Sequence, residues 1–175
     1  MLTSEDIIKR LGLQHNDKEG GYFAGTYVSG TVVPDADLPG FPATQKDRPL
    51  CGAIYYFLDS QEVSVMHRVT GDMIYHFYSG DPVQMLLLYP PDKTKFPTRT
   101  EVCIFSNDIA SGGTPMKVIP GGTWLGSRLA SGVGYALMGV TMAPGFDPGD
   151  YSIGERQELI QEYREQQALI ESLTR

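Results

Sequence analysis

The chain predicts an all-β fold of antiparallel strands, with a short N-terminal helix and a longer C-terminal one. Three observations carry this. The 175 residues include 20 Gly and 12 Pro, heavy punctuation for a helical bundle, together with 10 Tyr and 7 Phe that favour strands. Apolar runs of strand length follow one another from Cys51 to Thr141, separated by turn residues and with no helical stretch to serve as a parallel crossover. After Gly154 the Pro residues cease and the apolar residues take up a helical period.

Taken in order, Thr3 to Gly12 reads as a helix, with an N-cap residue, acid in the first turn, base in the last and a glycine stop. Gly20 to Val28 is aromatic and β-branched, a strand whose glycines allow a bulge or bend. Pro34 to Pro49 is dense in Pro, Asp and Gly and reads as a long surface loop of the kind that covers a site. The expected strands then run Ala53–Leu58, Val63–Val69, Met73–Tyr78, Val83–Tyr89, Glu101–Phe105, Met116–Ile119, Thr123–Leu129 and Tyr135–Thr141. Turns such as Ser79-Gly80-Asp81-Pro82 and Pro120-Gly121-Gly122 separate them. At the end, Leu159, Ile160, Tyr163, Ile170 and Leu173 form one stripe. The expected organisation is a β domain over residues 1–153, with an amphipathic helix over 154–175 packed on it or on a second subunit.

Composition narrows the function classes. Fourteen Lys plus Arg against 21 Asp plus Glu give a net charge of −7, which disfavours nucleic acid and anionic membrane surfaces as partners. No apolar run approaches the roughly 20 residues of a membrane span, and the N-terminus lacks the pattern of a signal peptide, so the expected setting is cytoplasmic. Cys51 and Cys103 stand apart, which predicts two reduced thiols rather than a disulfide or a zinc knuckle. Phosphate-binding glycine loops, H-E-x-x-H and G-x-S-x-G are all absent.

The most informative stretch is Ser64 to Pro82, read as a hairpin turning at Thr70-Gly71-Asp72. Alternation puts Val65, His67 and Val69 on one face and Met66 and Arg68 on the other. A buried imidazole there needs a hydrogen-bond partner, and desolvation favours its neutral form. It serves either as a general base or as a satisfied core histidine. On the returning strand Met73, Tyr75 and Phe77 share a face opposite Ile74, His76 and Tyr78, which points His76 outward, toward sheet or subunit packing.

This hairpin, read with Glu19-Gly20-Gly21-Tyr22-Phe23, Thr26-Tyr27, Pro120-Gly121-Gly122-Thr123-Trp124 and Ala143-Pro144-Gly145-Phe146-Asp147, resembles the Cupin_5 (DUF985) family of the cupin superfamily. The likeness runs from about His15 to Tyr151. It implies an antiparallel jelly-roll β-barrel of the RmlC-like type, commonly a homodimer, with a pocket in the barrel. Metal-binding cupins take two His and a Glu from a first motif and a third His from a second. By spacing, those positions fall here on His67, Val69, Met73 and Leu125. Only His67 can ligate a hard or borderline divalent ion in the ordinary way, so no metal and no other cofactor is expected. Met73 stands where the family usually has Glu, and Leu125 where it often has Gln, which withdraws any acid–base role tied to that Glu.

The expected inner wall comprises His67, Val69, Met73, Tyr75, Phe77 and Trp124, the apolar and aromatic make-up of a small-molecule site. Tyr22, Thr26, Ser64, Arg68 and Gln84 are candidates for orienting hydrogen bonds, although alternation does not turn all of them inward. The first functional expectation is a metal-independent isomerase, epimerase or cyclase acting on a small molecule. His67 would move the proton, and Tyr75 or Tyr22 would serve as the partner acid, by analogy with metal-free sugar epimerases on the same barrel. A non-catalytic, storage-like binding barrel is the second, and a metal-dependent enzyme the third.

Overall fold

A computed structural model of the chain describes residues 2–41, 47–92 and 95–175. The fold is of the predicted class, two antiparallel sheets curled face to face into a barrel. The larger sheet runs in the order β1 (Gln14–His15), β2 (Tyr22–Val28), β5 (Gly52–Asp59), β12 (Tyr135–Ala143), β7 (Asp72–Gly80), β10 (Met116–Ile119). The smaller runs β13 (Ser152–Ile153), β6 (Ser64–Arg68), β11 (Trp124–Leu129), β8 (Val83–Leu88), β9 (Thr100–Phe105). Non-consecutive neighbours in both sheets give the long crossing connections of a jelly roll rather than a meander. The hairpin expected at Thr70-Gly71-Asp72 is one of these crossings instead, since β6 pairs with β11 and β13 in the smaller sheet and β7 with β10 and β12 in the larger.

Helix α1 (Ser4–Leu11) starts on a capping box in which Thr3 Oγ1 accepts from the Asp6 N–H while the Asp6 carboxylate accepts from the Thr3 N–H. Its Ile7 packs with Leu13 and Phe57 on the outside of the larger sheet. In the expected loop from Pro34 to Pro49, the ends pair as a short hairpin, β3 (Val32–Pro34) with β4 (Asp47–Pro49). The remainder of that loop, residues 42–46, lies outside the described residues.

Alternation along the strands fills the barrel. Leu58, Phe77, Met85, Phe105 and Met138 close one end in a packed floor, with the Phe77 and Phe105 rings edge to face at 5.6 Å. At the opposite end of the larger sheet, Ile54 pairs with Val140, Val140 with Tyr75 and Met142 with Met73, and there the barrel is hollow.

The C-terminal segment differs from the single helix expected. It forms α2 (Arg156–Glu162) and α3 (Gln167–Ser172), joined through a 3-10 turn at Arg164–Gln166. The break falls at Tyr163, whose backbone leaves the helical region (φ −128°, ψ 58°) while its buried hydroxyl donates to the Tyr89 carbonyl at 2.8 Å. Leu159, Tyr163, Ile170 and Leu173 cover Met66, Leu86 and Leu88 on the outer face of the smaller sheet. Among the described residues no helix is long and apolar enough to cross a membrane.

Candidate functional site

The hollow end of the barrel is a cavity of about 450 Å³, within the range of small-molecule sites. Its walls are Phe23, Ile54, Val69, Met73, Val140 and Met142, and exposed Tyr27, Val28 and Phe146 form part of the mouth. One corner is polar, and its chemistry begins in the turn between β1 and β2. There the Gly20 N–H donates to the Asn16 carbonyl at 2.7 Å, and the Asn16 N–H to the Gly21 carbonyl at 2.9 Å. Tyr56 donates its hydroxyl to the Gly20 carbonyl at 2.9 Å. This turn carries Glu19 into the barrel, where it is buried.

Three donors converge on the Glu19 carboxylate. Ser64 Oγ donates to Oε1 at 2.9 Å, and the Tyr151 hydroxyl and Asn16 Nδ2 donate to Oε2 at 3.3 and 3.4 Å. His67, 2% exposed, lies beside it with Nε2 3.7 Å from Glu19 Oε1. Its Nδ1 is 2.9 Å from the Val65 carbonyl, which can only accept, so Nδ1 carries a hydrogen and a neutral ring keeps its lone pair on Nε2. Tyr151 stacks on the imidazole with centroids 5.6 Å apart and 20° between planes, fixing its orientation. Tyr75 completes the corner. Burial, then the charges of Glu19 and Tyr151, push its hydroxyl well above the ordinary tyrosine value, and burial does the same for Tyr151. Both therefore remain protonated donors at neutral pH.

The donor set does not fit the divalent ion of metal-binding cupins. Of the positions aligned with that metal site, Val69 and Met73 present aliphatic and thioether groups to the cavity, and Leu125 is sealed in the core. Among the described residues no three His, Cys, Asp or Glu side chains gather where an ion would sit.

Of the residues singled out from sequence, His67, Val69, Met73 and Tyr75 line the cavity. Ser64 is buried behind it and reaches it through Glu19. The others lie elsewhere. Tyr22 alternates with inward Phe23 and packs outside the sheet against His15 and Phe57. Thr26 is the exposed extra residue of a bulge between Gly25 and Tyr27. Arg68 and Trp124 are both on the outer face, the guanidinium 4.4 Å from the indole centroid. Trp124 cannot face inward because its neighbour Leu125 does. Gln84 is likewise outward, accepting from Arg128 Nε at 3.2 Å. Phe77 points inward but belongs to the floor. Outward His76 sits opposite Met116 and Gly139.

Sequence reasoning nominated neither Glu19 nor Tyr151. Alternation assigns faces only within strands, and both residues sit outside them. The available signal was an acid directly before a Gly-Gly pair, at the point where a polar stretch gives way to an aromatic strand.

A family model described as "Cupin superfamily (DUF985)" matches residues 5–154. A solved structure from Shewanella oneidensis is 27% identical with a TM-score of 0.82, covering 100% of this chain and 99% of its own. A hypothetical protein from Leishmania major is 26% identical with a TM-score of 0.81, covering 99% of each chain. A cupin 2 conserved barrel domain protein from Rhodopseudomonas palustris shares the fold at 12% identity and a TM-score of 0.57, over 94% of this chain and 91% of that one. The comparison with curated proteins gives no match.

Proposed function

From the premise that the chain belongs to the Cupin_5 (DUF985) family of the cupin superfamily, whose barrel fixes no single reaction, we propose that it is an acid–base enzyme of isomerase, epimerase or cyclase type that works without a metal. The observation that supports this most strongly is the Glu19–His67 pair, buried side by side with 3.7 Å between Oε1 and Nε2. With Nδ1–H committed to Val65, Nε2 is the atom that takes a proton from a ligand, and the resulting imidazolium is stabilised by the adjacent carboxylate. Ser64 and Tyr151 hold that carboxylate in place. A satisfied core histidine has no need of a buried acid aimed at its second nitrogen across a gap too long for a hydrogen bond.

The test is proton exchange. The protein is incubated in D₂O with panels of sugars, hydroxy ketones and cyclisable metabolites, and deuterium at the reacting carbon is followed by NMR. The wild type should introduce label into at least one compound. His67→Asn should lower that rate by about 10²-fold or more while ligand affinity stays within a few-fold. Exchange that survives His67→Asn overturns His67 as the base, and a tightly held ligand that never exchanges favours the non-catalytic binding barrel instead.

A further inference from the structure

Resting on that acid–base reading and deepening it, the geometry points to an uncharged, enolisable carbonyl compound with an apolar ring body as the substrate class, its carbonyl oxygen held by the Tyr75 hydroxyl. Tyr75 is 3% exposed and lines the cavity. Its neighbours are engaged, since Tyr56 donates to the Gly20 carbonyl and Tyr151 to Glu19. The Tyr75 hydroxyl has no hydrogen-bond partner among the described residues. The Tyr75 ring is buried in the wall while the hydroxyl opens on the cavity, where it is a donor free to meet an acceptor on whatever the cavity holds.

Charge decides what kind of acceptor. Among the described lining residues the carboxylate and ammonium side chains are Glu19 and Lys18 alone. Lys18 is exposed, and no cationic Lys or Arg joins Tyr75 in the polar corner, where Glu19 would repel a phosphate or carboxylate. A neutral carbonyl meets the hydroxyl without that penalty. The remaining wall, Phe23, Ile54, Val69, Val140 and Met142, offers only apolar contact and suits a ring body.

The chemistry balances without a co-reactant. The C–H bond next to the carbonyl breaks, its proton passes to His67 Nε2, and its electron pair becomes the new C=C bond. The carbonyl π pair moves onto oxygen, where the Tyr75 O–H hydrogen-bonds the developing enolate. Return of the proton from Nε2 to the same carbon restores the carbonyl and the neutral imidazole with the hydrogen exchanged. Where the substrate carries a C=C bond next to that carbon, the enolate is a dienolate, and return of the proton to its far carbon moves the C=C into conjugation with the restored carbonyl, completing an isomerisation.

The experiment titrates the wild type with 2-naphthol, a planar enol mimic, against naphthalene and 2-naphthyl phosphate. 2-Naphthol should bind at least about 10-fold tighter than either. Tyr75→Phe should erase its advantage over naphthalene while leaving naphthalene affinity within about two-fold. Equal binding of naphthol and naphthalene, preference for the phosphate, or no binding at all would overturn the assignment, and the wild-type comparison decides even if the variant fails to fold. Deuterium exchange into 2-tetralone separates the two readings. Exchange into a phosphorylated sugar with no naphthol binding sinks the substrate class alone. Tyr75-dependent naphthol binding with no exchange in the wild type sinks the acid–base reading.

Discussion

Glu19 reaches His67 only because the residue after it has no side chain. Gly20 sits at φ +91°, and a Cβ built there would lie 2.1 Å from the Val63 carbonyl oxygen, a backbone atom that cannot swing away. Gly20→Ala should therefore cost at least about 2 kcal/mol in urea unfolding and abolish proton exchange, by dislodging the turn rather than by touching the chemistry. A second residue ties the same turn from outside. His15 places Nδ1 2.7 Å from Asp17 and Nε2 3.0 Å from Glu62, whose other oxygen accepts from the Gly21 N–H. The hydrogen bond to Asp17 and then that to Glu62 raise the imidazole above its ordinary 6.5. A raised folded value means that the contribution to stability is fully present below 6.5 and disappears as pH climbs through the raised value. The ring is 40% exposed, so solvent screening keeps the effect small. Melting temperatures of wild type and His15→Gln should differ most in mildly acidic buffer and converge toward alkaline pH; a gap that is constant across pH would refute the ion-pair account.

At the scale of elements, the mouth of the cavity is braced by a buried ion cluster. Arg48 on β4 donates from Nε to Asp35 at 2.7 Å and from both terminal nitrogens to Asp150, and all three side chains are buried. The guanidinium lies 5.2 Å from the Phe41 centroid. This joins the β3–β4 hairpin, which contributes Pro49 to the cavity, to the 3-10 turn Pro148–Asp150, which contributes Pro148 and leads into Tyr151. Removing one member of such a cluster leaves buried charge uncompensated, so Arg48→Met should cost about 3–5 kcal/mol and loosen ligand binding at the mouth, readable by chemical unfolding and by affinity. A loss below about 1 kcal/mol would show that solvent reaches the cluster. Nothing in the sequence announces this brace, because Asp35, Arg48 and Asp150 are brought together by topology and have no periodic signature. What periodicity can encode was legible. The eight central strands expected from the sequence recur to within a residue or two, from Gly52–Asp59 through Tyr135–Ala143, and α1 begins and ends at the expected caps. The site was legible only where a strand carried it, at His67, Met73 and Tyr75, and illegible at Glu19 and Tyr151, which arrive on turns. Trp124 misled because a large ring after a Pro-Gly-Gly turn fits either face, whereas Leu125 fits only the inner one.

For the whole molecule, the C-terminal segment acts as the outer wall of the smaller sheet. The outward residues of β6 and β8, Met66, Leu86 and Leu88, are completely buried beneath it. Leu159, Tyr163, Ile170 and Leu173 are the covering side. Polar ties fix the segment in register. The Met66 N–H donates to the Leu173 carbonyl at 2.7 Å, the Gly154 N–H to the Met66 carbonyl at 2.7 Å, and the Tyr163 hydroxyl to the Tyr89 carbonyl. Arg99 lies 4.8 Å from the Tyr163 centroid and pairs with Glu162 at 2.7 Å. Each large apolar side chain fully buried is worth about 1.5–3 kcal/mol, so the segment's four and the sheet residues it covers together rival the whole 5–15 kcal/mol of a typical domain. Deleting residues 155–175 should therefore yield no marginally weakened barrel but a chain without a cooperative transition, with a dye-binding apolar surface where the sheet is uncovered. Tyr163→Phe, which keeps the ring and removes only the hydroxyl, should cost about 1 kcal/mol and leave cooperativity intact. The pair of measurements separates burial from hydrogen bonding. If the deletion variant melts cooperatively near the wild-type temperature, the barrel stands without its outer wall and the segment is an appendage; otherwise the cavity, whose His67 shares β6 with Met66, depends on a helix pair on the far side of that strand.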